Sequence, residues 1–198
     1  NRRSRGLGDV YKRQADAAKE MVKQKQETWF DISTLKEPFR VEGKKTLGYE
    51  IAEQLGWRLP DVIVYETGGG TGLIGMWKAF NELKLLGKVS GKLPRMVAAQ
   101  STGCAPVVKA FQRRENKTEF WENSQTVALG LNVPGPIGGY WILRILYESN
   151  GIAVDVPESD LQNLTDEFNS IKRINAGPEA GVVWGAFQKL RNVGWIDN

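Results

Sequence analysis

Gly68, Gly69, Gly70, Thr71 and Gly72 stand between an apolar, largely β-branched run at 62–65 (VIVY) and a helical pattern. That pattern carries Leu73, Ile74, Met76, Trp77 and Phe80 at i, i+3 and i+4 spacings. Strand, glycine loop and helix in this order suit an anion. Glycine lets the backbone approach a ligand, the loop N–H groups point at its oxygens, and the helix N-terminus adds partial positive charge. The chemistry predicted here is phosphate binding. Four glycines in five positions exceed what one tight turn requires.

Several guests compete for such a loop. Residues 70–75 spell GxGxxG, the dinucleotide pattern, which wants an acid about 20 residues on for the ribose. The next strand is expected at 95–101 and ends in Gln100-Ser101, with no acid. A triphosphate P-loop needs Gly-Lys-Ser/Thr, and here Met76 follows Gly75. What remains is a small phosphate held by backbone N–H groups and the Thr71 hydroxyl, or a βα turn that holds nothing.

Composition narrows the remaining chemistry. With no histidine and one cysteine, Cys104, the chain offers no His-based nucleophilic pair and argues against a zinc or haem site. Cys104 is expected as a buried, inert thiol, and a single cysteine fits a reducing compartment. The net charge of +4 sits wholly in residues 1–14, where five basic residues face Asp9. The other 184 residues balance 22 basic against 22 acidic. No nucleic-acid surface is therefore expected, and 1–14 reads as a disordered or non-native tail before a domain spanning 15–198. No apolar run is long enough for a membrane helix.

The elements that must position the loop follow from periodicity. Helices are expected over 15–27, 43–55, 73–86, 104–113, 140–149, 159–171 and 178–193, and strands over 61–65, 96–100 and 152–156. Residues 129–139, with four glycines and two prolines, are expected to be irregular. Alternating strands and helices predict an α/β fold: a mostly parallel sheet with helices on both faces, in three α/β/α layers. Ligands of such sheets sit at the carboxyl ends of strands, which is where the glycine loop lies.

Four segments in order, FDISTLKEPFRVEGKKT, YETGGGTGLIGMWKAF, PRMVAAQSTGCAPVVKAF and LNVPGPIGGYWILRIL, together resemble the fold type II, tryptophan-synthase-β-like pyridoxal-phosphate enzymes. Within that family the likeness is to threonine synthases. It implies pyridoxal 5′-phosphate as cofactor, with Gly68, Gly69, Gly70, Thr71 and Gly72 as its phosphate cup. It places Arg40 where the family faces the phosphate of O-phosphohomoserine, with Ser33 or Thr34 adding a hydroxyl. A planar guanidinium suits that task, because it can donate two hydrogen bonds to one phosphate. The bland reading of Arg40 is a surface ion pair with Glu42. Lys44, Lys45 and Lys78 read as a solvated helix face, and Glu50 and Glu66 carry no signal.

The implied reaction is that of a lyase of threonine biosynthesis, converting O-phosphohomoserine and water to threonine and phosphate. The nearest alternative is a threonine or serine ammonia-lyase, and the next a nucleotide-binding α/β module without catalysis. The family's Schiff-base lysine lies in an earlier Ser-Phe-Lys-Asp-type segment that these 198 residues lack. No catalytic residue or metal ligand is therefore assigned, and the chain is expected to be an internal fragment that is inactive alone. The resemblance further implies a cytoplasmic, homodimeric parent acting on a small phosphorylated amino acid, with no nucleic-acid or membrane partner.

Overall fold

The computed structural model describes residues 17–25 and 27–197. The chain divides into two units, 1–37 and 38–198. In the first, residues 17–24 are helical (α1), inside the run expected from propensity. The basic segment 1–14 and the expected boundary at residue 15 lie outside the described residues.

The second unit is built on three parallel strands in the order β1 (Val62–Glu66), β2 (Arg95–Ser101), β3 (Ile152–Val156). Val62 pairs with Arg95 and Val97 with Ile152. Alternation along β2 separates two cores. Met96 and Ala98 face a cluster with Leu73, Phe80, Val107, Ile142 and Leu146. Val97 and Ala99 face the other, with Val156, Leu161, Val182 and Leu190. The first core is covered by α3 (Thr71–Leu85), α4 (Pro106–Gln112) and α5 (Gly139–Glu148). The second is covered by α6 (Leu161–Lys172) and α7 (Pro178–Asn192). Helices on both faces of a parallel sheet give the expected three layers. Burying Phe80 or Leu73 fully is worth about 1.5–3 kcal/mol each.

Two boundaries differ from the sequence expectation. The helix expected from residue 43 is α2 (Phe39–Gln54), four residues longer at its start. Pro38 precedes it at φ −80° and ψ −21°, a helical conformation that the proline ring favours. Arg40 is therefore a helical residue of the first turn. The helix expected from residue 104 begins at Pro106, because the Cys104 N–H returns to the Ser101 carbonyl at 2.9 Å and the two residues form an isolated bridge.

Candidate functional site

The glycine loop joins the carboxyl end of β1 to α3, whose N-cap is Gly70 at φ 81°. Ile74 is the first residue of the helix to reach an i−4 acceptor, the Gly70 carbonyl at 3.0 Å. The N–H groups of Thr71, Gly72 and Leu73 precede it and have no intrahelical acceptor. No side chain caps this end. The result is a row of donors at the positive end of a helix dipole.

The surroundings explain the glycines one by one. A Cβ on Gly68 would lie 2.9 Å from the Gly130 carbonyl oxygen, and one on Gly72 would lie 2.0 Å from the Tyr65 hydroxyl. At Gly70 it would lie 2.3 Å from the Ile142 side chain. At Gly69 it would meet nothing within 4 Å. Three glycines are thus closed in by protein, and the fourth faces open space. The whole loop, with Tyr65, Glu66, Gly130, Leu131 and Glu179, lines a cleft of about 210 Å³.

A second helix converges on this end. Lys44 of α2 touches Gly75 of α3: a Cβ there would lie 2.7 Å from the Lys44 Cβ. One turn on, Gly48 meets Met76 and Ala79, and the Tyr49 hydroxyl donates to Glu82 at 2.5 Å. The rising register means that α2 and α3 pack side by side with their N-termini at the same end. One turn back from Lys44, Arg40 lies at the level of the first turn of α3. The Glu42 carboxylate is engaged by Lys45 at 2.6 Å and Lys78 at 3.0 Å.

Ser33 and Thr34 belong to the first unit. The Ser33 N–H donates to Asp31 Oδ1 at 2.9 Å, and hydrogen bonds from Ser33 hold the Asp31 carboxyl below its usual range. Cys104 is fully buried, and that burial pushes its thiol up, as expected of an inert sulfur. Among the described residues no group of three or more His, Cys, Asp or Glu could hold a metal.

Two sets of residues escaped the sequence reading. Gln100, fully buried at the end of β2, donates Nε2–H to the Thr67 carbonyl at 2.9 Å. Its Oε1 accepts the Val107 and Val108 N–H groups at 2.9 and 3.1 Å. It ties the root of the glycine loop to the start of α4. The available signal was an amide closing a strand of small apolar residues. Glu158 and Glu179 clamp the far wall. Glu158 accepts from the Ser101 hydroxyl and, through Oε1, from the Val127 N–H at 2.5 Å. Glu179 Oε1 accepts the Gly130 N–H at 2.9 Å. No sequence spacing links these pairs.

The residues present fit a phosphate monoester. The loop offers free N–H donors and open space at Gly69, and no described protein group satisfies the Thr71 hydroxyl. The profile of the family described as pyridoxal-phosphate dependent enzyme matches residues 4–198. Threonine synthase from Methanocaldococcus jannaschii is 29% identical over 184 residues, covering 92% of this chain and 45% of that protein. Threonine synthase from Methanosarcina acetivorans is 31% identical over 159 residues, covering 80% and 39%. The chain thus spans less than half the length of these relatives. A solved L-serine ammonia-lyase from Rhizomucor miehei superposes with a TM-score of 0.64 at 18% identity, covering 77% of this chain and 46% of that one, and so shares the fold.

Proposed function

The chain belongs to the pyridoxal-phosphate-dependent enzyme family, and from that premise we propose that it forms the phosphate-binding part of a lyase of the threonine synthase type. The substrate in this reading is O-phosphohomoserine, converted with water to threonine and phosphate. The observation that carries it is the glycine loop opening α3 onto a cleft, with α2, which bears Arg40 in its first turn, packed alongside α3. Identity to threonine synthases at 29–31% supports it.

The N–H groups of the loop Gly68, Gly69, Gly70, Thr71 and Gly72, with the Thr71 hydroxyl, would hold the cofactor's phosphate. When bound, the cofactor supplies an electron sink that makes protons beside the substrate's amino group acidic. This chain orients and binds. The cup holds one phosphate still, and Arg40 draws in the second. Holding the substrate phosphate matters because that group departs, and a fixed cation favours the developing charge. Among the described residues no lysine lines the glycine cleft; in this reading, which follows the family resemblance, the lysine that joins the cofactor comes from outside these 198 residues. Cytoplasmic residence and a homodimeric parent belong to the same reading. Among the described residues no helix is long and apolar enough to cross a membrane.

In the full-length enzyme, Arg40→Ala should raise KM for O-phosphohomoserine roughly 10- to 100-fold, the range of one charge-assisted hydrogen bond, with a smaller change in kcat. An unchanged KM removes Arg40 from the substrate site. The rival is an ammonia-lyase acting on serine or threonine, an activity hosted on the same fold in the Rhizomucor enzyme. Release of a 2-oxo acid and ammonia, without phosphate, would decide for the rival.

A further inference from the structure

Glu66 ends β1 and lines the cleft with the glycines, although neither the cup nor the clamp uses its side chain. Strand alternation explains its direction. Tyr65 packs into the core beneath α3, so Glu66 turns to the opposite face, toward α7. There it shares the cleft with Glu179, which the Gly130 N–H holds in place. A phosphate drawn to the start of α3 therefore enters beside two carboxylates. Three anions in a cleft of about 210 Å³ do not all stay charged, because like charges at short range favour protonation of one of them.

Three charged or titratable groups act on Glu66 from its surroundings: Glu179 from α7, Lys44 from α2, and Tyr65 on its own strand. Burial, the largest influence, pushes the Glu66 carboxyl above its ordinary range, and Glu179 adds to it. A backbone hydrogen bond and Lys44 act the other way.

We propose that Glu66 is a ligand of the phosphate monoester in this cleft: its carboxyl takes one proton from solvent as the dianion enters and donates it in an O–H···O hydrogen bond to a phosphate oxygen. The inference rests on the cup reading of the glycine loop and adds a residue to it. Binding then consumes a proton and weakens as pH rises.

The test is isothermal titration of the 198-residue chain with pyridoxine 5′-phosphate, whose alcohol cannot form an imine with lysines. It is run at pH 8 in two buffers of different ionisation enthalpy, on wild type, Glu66→Gln and Glu179→Gln. Wild type should take up close to one proton more per ligand than Glu66→Gln, whose amide donates without a proton from solvent. Wild-type affinity should fall about tenfold per pH unit above the free carboxyl's range relative to Glu66→Gln. In Glu179→Gln the fall should begin at lower pH, because a neighbouring charge is gone. Equal proton counts in wild type and Glu66→Gln overturn the proposal. Should Glu66→Gln fail to fold, an unmoved pH onset in Glu179→Gln overturns it as well. Absence of binding by all three proteins overturns the cup reading itself, and this inference with it.

Discussion

Gly69 and Gly70 are adjacent, yet they answer to different demands. Gly70 needs its glycine for the fold: φ is 81°, and any Cβ would run into Ile142. Gly70→Ala should cost roughly 1–3 kcal/mol in strain, a fall of about 3–10 °C in Tm for a domain of this size. The fold does not require glycine at Gly69, since a Cβ there meets nothing, and in the proposed reading its role is toward the ligand. Gly69→Ala should leave Tm within about 1 °C of wild type, the usual range for a substitution that touches no packed group. It should nonetheless weaken pyridoxine 5′-phosphate binding about tenfold or more, because the methyl occupies the cleft. Thermal melts and titrations of both variants separate these effects. Equal losses of stability would remove the distinction.

At the scale of elements, the α2–α3 pair decides whether Arg40 and the cup act on neighbouring groups. It packs through small residues and an ion network. Gly48→Val would push a side chain to 2.7 Å from the Ala79 Cβ and 3.2 Å from the Met76 carbonyl oxygen. Overpacking of this kind costs about 1–3 kcal/mol, or roughly 3–10 °C in Tm. In a full-length enzyme the same variant should also raise KM for the phosphorylated substrate, by moving Arg40 from α3. A lowered Tm with unchanged KM would uncouple the helix pair from the site.

Lys45, Lys78, Glu42, Glu82 and the Tyr49 hydroxyl join the outer faces of the two helices. Lys45 above all, then Lys78 and Tyr49, hold the Glu82 carboxyl down to about 2 from an ordinary 4.5. A depressed carboxylate stabilises the fold above its unfolded value and loses that contribution as pH falls through the folded value. Here the window runs from about 4.5 down to about 2. Glu82 is partly exposed, so screening limits its contribution to about 1 kcal/mol. Glu82→Gln should lower Tm by roughly 2–4 °C at pH 7, with the gap to wild type closing near pH 2. A gap that persists at pH 2 contradicts the assignment.

At the scale of the whole molecule, three strands leave two outer edges. Among the described residues neither β1 nor β3 has a second strand partner. β3 is partly guarded, because the Lys189 ammonium donates to the Asp155 carbonyl at 3.2 Å. β1 ends at the glycine cup, and all five of its residues are only half-buried. Phe120, Ile137, Tyr140 and Trp141 are also exposed. Open edges and apolar surface favour association. The 198-residue chain should therefore sediment with a coefficient that rises with concentration over the micromolar range. A concentration-independent monomer would show that these edges are sealed.

Sequence alone determined the layered α/β fold and the strand, glycine loop and helix order at the cleft. Periods of two and 3.6 are local signals, and a glycine cluster between strand and helix announces itself within ten residues. It also supplied the family, because four linked motifs carry more information than one loop. Helix entry at Phe39 was missed because Pro38 acts on the backbone rather than through hydrophobic spacing. Only the tertiary structure brought α2 alongside α3, 31 residues apart at the Lys44–Gly75 contact. Only the tertiary structure turned Glu66, a lone carboxylate with no sequence signal, into one of two acids lining the glycine cleft. Its partner Glu179 lies 113 residues on, and no local pattern can report a charge that arrives from that distance through the packing of α7 against the sheet.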